Sequence, residues 1–133
     1  MMNNTIPLMD INNSTSMIYK VYSIEHDPKV VKFEIAFING HSNLQFKHIL
    51  YEEDLIILSR LQSLNTGKYH FIEPSLYIDI KNIHETTIDI TIHLKALLEN
   101  HDASHGADYA YDMTVEQHGF IHFIEYLQHH LAQ

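Results

Sequence analysis

The residues best equipped for chemistry lie near the end of the chain, where His118, His122, Glu125 and His129 recur at i, i+4, i+7 and i+11. On a helix that spacing sets three imidazoles and a carboxylate along one stripe, the nitrogen and oxygen donors that suit zinc or nickel. The solvent side of any amphipathic helix looks the same, and no Asp stands nearby to orient the imidazoles, so a metal-binding hydrolase or sensor is the alternative reading. His101-Asp102-Ala103-Ser104-His105 gathers a hydroxyl, imidazoles and a carboxylate, the parts of a nucleophilic triad. Triads are assembled from distant parts of a chain, and Ser104 has no glycine-rich elbow, so the run reads as a solvated polar loop able to serve as a contact surface. Asp79 and Asp89 fall on one sheet face, as paired glycosidase carboxylates do, but a single hairpin with mixed polar neighbours offers no deep cleft to raise either pKa. Gly67-Lys68 lacks the upstream glycine and the following Ser or Thr of a phosphate-binding loop. No residue is assigned a catalytic role, and no cofactor is expected.

The elements that carry these residues are organised around positions 71–94, FIEPSLYIDIKNIHETTIDITIHL. Leu76, Ile78 and Ile80 alternate with Tyr77, Asp79 and Lys81; Ile88, Ile90, Ile92 and Leu94 alternate with Asp89, Thr91 and His93. Period two in both runs predicts an antiparallel hairpin with one aliphatic face and one polar face. Val31, Phe33, Ile35 and Phe37 form another alternating strand, and Asn39-Gly40 after it predicts a type I′ turn into a returning strand at 44–49. At Glu52-Glu53-Asp54 the period changes. Acidic residues favour a helix N-terminus there, and Leu55, Leu58, Leu61 and Leu64 follow at helical spacing, with Ile56 off the buried stripe, until Asn65-Thr66-Gly67 ends the helix. Further strands are predicted at 17–24 and 109–116, and a C-terminal helix buries Phe120, Phe123, Ile124, Leu127 and Leu131. The predicted fold is α+β: a single domain over residues 17–133, with a curved antiparallel sheet of about six strands and two α-helices on one face. Residues 1–16, rich in Asn, Ser and Thr, read as a mobile leader or a loosely docked arm.

At 133 residues the chain is long enough to bury a core unaided. It has no cysteine, which excludes disulfides, cysteine nucleophiles and thiolate zinc sites. No basic-then-apolar leader and no long apolar run is visible, so the expectation is a soluble cytoplasmic protein with no membrane partner. Seventeen acidic residues against eight Lys and Arg give a net charge of −9, which repels nucleic acid and attracts a basic protein.

Asp54-Leu55, Leu58, Leu61, Leu64, Gly67, then Phe71-Ile72-Glu73-Pro74-Ser75-Leu76, then the alternating strand 88–94, together with the order of elements, resemble the WapI-type immunity proteins. Members of that family are small cytoplasmic antidotes to the toxic C-terminal domains of polymorphic, contact-dependent bacterial toxins. The likeness covers residues 29–132 in outline. It implies a non-enzymatic protein that binds and neutralises a cognate, basic toxin domain by stoichiometric protein–protein interaction. Candidate partner-binding residues are Tyr77, Asp79, Asp89 and His93 on the polar sheet face, with Glu99, Asp102, Asp108 and Asp112 around the acidic loop region; Tyr supplies contact area and Asp complements Lys and Arg.

Overall fold

A computed structural model describes residues 4–96 and 107–132. Four strands, β1 (Thr5–Met9), β2 (Thr15–His26), β3 (Lys29–Asn39) and β4 (Ser42–Tyr51), pair antiparallel in chain order. A single 3-10 turn, Glu52–Asp54, runs into α1 (Leu55–Gln62). A second antiparallel sheet follows, again in chain order, from β5 (Gly67–His70), β6 (Leu76–Ile83), β7 (Thr87–Ala96) and β8 (Ala107–Glu116), before α2 (Gln117–Ala132) closes the described chain.

The fold is thus α+β, as the alternation implies, with the strands divided between two four-stranded sheets in place of one sheet of about six. The strands with a clear period bury the face it marks: Val31, Phe33, Ile35 and Phe37 from β3, Leu76, Ile78 and Ile80 from β6, and Ile88, Ile90, Ile92 and Leu94 from β7. These side chains share one apolar cluster with Leu58 and Leu61 of α1 and with Phe120, Phe123, Ile124, Leu127 and Leu131 of α2. Ile56 points outward, as its place off the leucine stripe predicts. α2 touches β1 and β3 of the first sheet, β8 of the second, and α1. Its Phe123 meets the Tyr19 ring edge-on at 5.2 Å between centroids, and Gln128 Nε2 donates to Gln62 Oε1 on α1 at 3.3 Å. Phe37 of β3 stacks on Tyr111 of β8 at 4.7 Å, a direct contact between the sheets.

For residues 4–16 the mobile-leader expectation is corrected by β1, residues 1–3 lying outside the described residues. Ile6 and Leu8 are buried, and Thr5–Met9 pairs with β2 from Thr5 opposite Lys20 to Met9 opposite Ser16. Two alternating apolar side chains are enough to seat a short edge strand that has a long neighbour to pair with. The turn that follows also fastens the first sheet to the second. Ile11 N donates to Thr114 O at 2.8 Å, and Thr114 N donates to Asp10 Oδ1 at 2.8 Å, so residues 10 and 11 hydrogen-bond along part of the β8 edge.

The β3–β4 connection differs in detail from the predicted type I′ turn. Asn39 pairs with Ser42, so the loop is Gly40-His41, and only Gly40 has positive φ, at 61°. That is the pattern of a type II′ turn, with glycine at its first central position.

Gly67, which opens β5, has φ 145°, a backbone conformation that L side chains rarely adopt. A β-carbon there would meet nothing closer than the Tyr69 ring at 3.9 Å, so any loss on substitution comes from the backbone and not from a clash. Gly67→Ala is expected to destabilise the protein by about 1–3 kcal/mol. An unchanged urea midpoint would show that β5 rotates into an ordinary extended conformation at no cost.

Candidate functional site

The outer face of the second sheet is built in rows, because residues in register on neighbouring antiparallel strands share a face. One row runs His70, Tyr77, His93, Ala110, one residue from each strand. The next runs Lys68, Asp79, Thr91, Asp112. A β-bulge between Ile80 and Asn82 then leaves Lys81 as the extra residue, and the third row reads Asn82, Asp89, Thr114. Tyr77, Asp79, Asp89, His93 and Asp112, five of the residues the sequence proposes as contacts, are therefore brought together on one face. Asp108 belongs to β8 opposite Lys95 in the backbone register, and Glu99 and Asp102 lie outside the described residues, as does the 101–105 run.

Asp89, Asp112 and Asp79 on this face each have a partner within the chain. Asp89 Oδ2 takes the His84 imidazole Nε2 at 2.8 Å, and Asp89 Oδ1 accepts the Thr114 hydroxyl at 2.7 Å. The His84 contact first, then Thr114, holds the Asp89 carboxyl below the usual range. Asp112 Oδ1 accepts the Thr91 hydroxyl at 2.6 Å. Asp79 is different from what its alternation suggests: it is buried, with Oδ2 3.5 Å from Lys81 Nζ, so much of its charge is already answered within the chain. Asp10 approaches from the β1–β2 turn. Burial works against its charge, but hydrogen bonds from the Thr114 backbone, the Ser14 hydroxyl and the Asn12 backbone outweigh it and lower the pKa.

Between that turn and the sheet lies an open depression of about 600 Å³, lined among others by Asp10, Asp89, Asp112, Lys81, Thr91 and Thr114. Asp10 and Asp89, whose pKa values are held down, do not store a proton for general acid catalysis. What the arrangement offers is fixed negative charge, oriented in advance by threonine hydroxyls, an imidazole and backbone N–H groups. Thr91 and Thr114 escape a reading of the sequence because threonine there registers only as strand propensity. Asp10 had a legible signal, an Asp followed by Asn-Asn-Ser within four residues, the composition of a side-chain-bonded turn.

The His stripe of the last helix takes the other course. His118, His122, Glu125 and His129 are all exposed on α2, and among the described residues no three or more His, Asp or Glu side chains are grouped to hold a metal ion. Nor is any helix among the described residues long and apolar enough to cross a membrane.

The short sequence that carries the family resemblance turns out to hold polar groups in the interior. Asp54, buried, accepts Tyr51 N at 2.8 Å on Oδ2 and Ile72 N at 3.0 Å on Oδ1, tying the start of the helical segment to the chain after β5. Glu73 accepts the Ser75 backbone N–H at 3.2 Å and the Ser75 hydroxyl. Its carboxylate lies 4.0 Å from Nε2 of the buried His48, whose Nδ1 is 3.0 Å from the Tyr19 hydroxyl.

Comparison with known proteins finds no matching family model, no matching curated protein and no matching solved structure.

Proposed function

We propose that the protein is an immunity protein: it binds a basic toxin domain through the outer face of the second sheet and neutralises it in a stoichiometric complex. The observation that carries this reading is the row-built carboxylate face, with Asp89 and Asp112 each fixed by a hydroxyl donor from the neighbouring strand. A face prepared in this way loses little side-chain freedom when a cationic surface docks. The net charge of −9 supports a fast, steered encounter with such a partner. The resemblance to the WapI-type immunity proteins points to the same class of partner, a domain that must itself be basic if it grips phosphate.

The experiment pairs the protein with the compact C-terminal domain of a long secreted protein encoded immediately upstream. The expected result is restored growth on co-expression and a one-to-one complex in solution. Asp112→Lys with Glu116→Lys reverses two exposed charges of β8 outside the core, and association is expected to slow about tenfold at low salt, with the gap closing as salt screens the field. Identical association rates at low salt for the reversed and native proteins would sink the proposal that this face makes the contact.

A further inference from the structure

The ring ladder on the outer face stops one strand short of the sheet edge. His70 and Tyr77 stack with centroids 4.5 Å apart, and Tyr77 and His93 with centroids 4.3 Å apart and planes within 5° of parallel. Those spacings are close to the distance between neighbouring strands, about 4.8 Å, so each strand adds one rung. The next rung falls on β8, where the register partner of His93 is Ala110, exposed and carrying only a methyl. Among the described residues β8 is the last strand of its sheet and none places a ring on this side of His93, where the register position carries only the Ala110 methyl. Two residues along on the same face is Asp112, exposed, with Oδ1 fixed by Thr91 and Oδ2 without a hydrogen-bond partner among the described residues. His93 Nε2 is likewise enclosed with no hydrogen-bond partner among the described residues.

We infer that this shelf receives an arginine side chain of the protein partner, its guanidinium flat against His93 above Ala110 and its N–H edge turned to Asp112. The inference rests on reading the acidic face as a protein-binding surface and names the chemistry that face recognises. A guanidinium is planar, weakly hydrated and permanently charged; it stacks on rings and matches a carboxylate with paired donors. A lysine ammonium answers the charge but has no plane to stack. A nucleotide base has the plane but brings a phosphate toward Asp89 and Asp112 on a chain of net charge −9.

The test is an NMR titration of the whole protein near neutral pH with three probes: a blocked Gly-Arg-Gly peptide, a blocked Gly-Lys-Gly peptide, and adenosine. The expected result is saturable shifts of the Ala110 methyl and the His93 ring with the arginine peptide, and binding about fivefold weaker with the lysine peptide. Ala110→Phe, which completes the ladder with a fourth ring, and Asp112→Asn, which removes the charge, are each expected to weaken the arginine peptide at least about fivefold with the urea midpoint held. Equal binding of the two peptides, shifts centred away from His93 and Ala110, or tighter binding of adenosine than of the arginine peptide would overturn the inference. The titration needs no toxin, so the two proposals fail separately. Arginine binding in a protein that neutralises no toxin upholds the shelf and removes the immunity reading; neutralisation untouched by Ala110→Phe removes the shelf from the interface.

Discussion

Replacing Asp54 with alanine is expected to destabilise the protein by about 3–5 kcal/mol, because two backbone donors lose a charged acceptor at once. Tyr51 N and Ile72 N both donate to this one carboxylate, at 2.8 and 3.0 Å, in a site where the Asp54 side chain is almost wholly out of solvent. The Tyr51 bond is the reach-back half of a capping box, which fixes where the helical segment begins. The Ile72 bond crosses to the chain between β5 and β6. Asp54 therefore pins the connection by which the polypeptide leaves the first sheet and enters the second. Asp54→Asn keeps one acceptor oxygen and is expected to lose about half as much. Urea unfolding separates these outcomes, the midpoint falling with the slope unchanged. A loss below about 0.5 kcal/mol for Asp54→Ala would mean that water replaces the carboxylate and that the pin is not what holds the connection.

The same connection explains why the sequence points to one sheet and the protein has two. Alternation states which side of a strand is buried and is silent about what buries it. The strands that read clearly, β3, β6 and β7, each place a row of Ile, Val, Leu or Phe inward, and both sheets press those rows into a common core with α1 and α2. The two strands that do not read, β1 and β5, are short and lie at the edges of their sheets, with Ile6 and Leu8 in one and only Tyr69 in the other buried. Too few apolar residues alternate there to make a period.

The candidate face was legible within a strand and illegible between strands. Tyr77 with Asp79, and Asp89 with His93, share a side by simple count. Which residues stand opposite them depends on register, and the bulge at Lys81 shifts the register midway along the β6–β7 pair. That bulge residue also reaches Asp79, so a carboxylate expected to face a partner is already paired inside the chain. Ala110 carries no chemical signal at all; its meaning comes only from standing beside a stacked ring.

Acid is expected to weaken the protein above the pH at which carboxylates titrate, with His48 as the cause. Its side chain is wholly buried among Tyr19 from β2, the Phe71 ring and Glu73, and burial lowers its pKa to about 4, opposed by Glu73. In the unfolded chain it titrates near its ordinary 6.5. The unfolded state therefore binds the extra proton between pH 6.5 and pH 4. Stability is full above pH 6.5 and falls as pH drops through that window, by about 2.5 kcal/mol at pH 4.5 and about 3 kcal/mol in total. His130 adds a loss of the same sign, its pKa lowered first by burial and then by His129 and Lys29. The lowered pKa values of Asp10 and Asp89 act in a separate window, contributing stability that is lost only as pH falls below the ordinary carboxylate value of 3.8. Urea unfolding at pH 7.5 and pH 4.5 measures the loss, and His48→Gln, which keeps a polar group beside the Tyr19 hydroxyl without a proton to take up, is expected to remove most of the difference. A His48→Gln protein that loses as much stability between the two pH values as the native one would place the acid sensitivity at His130 or elsewhere, and the buried Tyr19–His48–Glu73 line would then have no part in it.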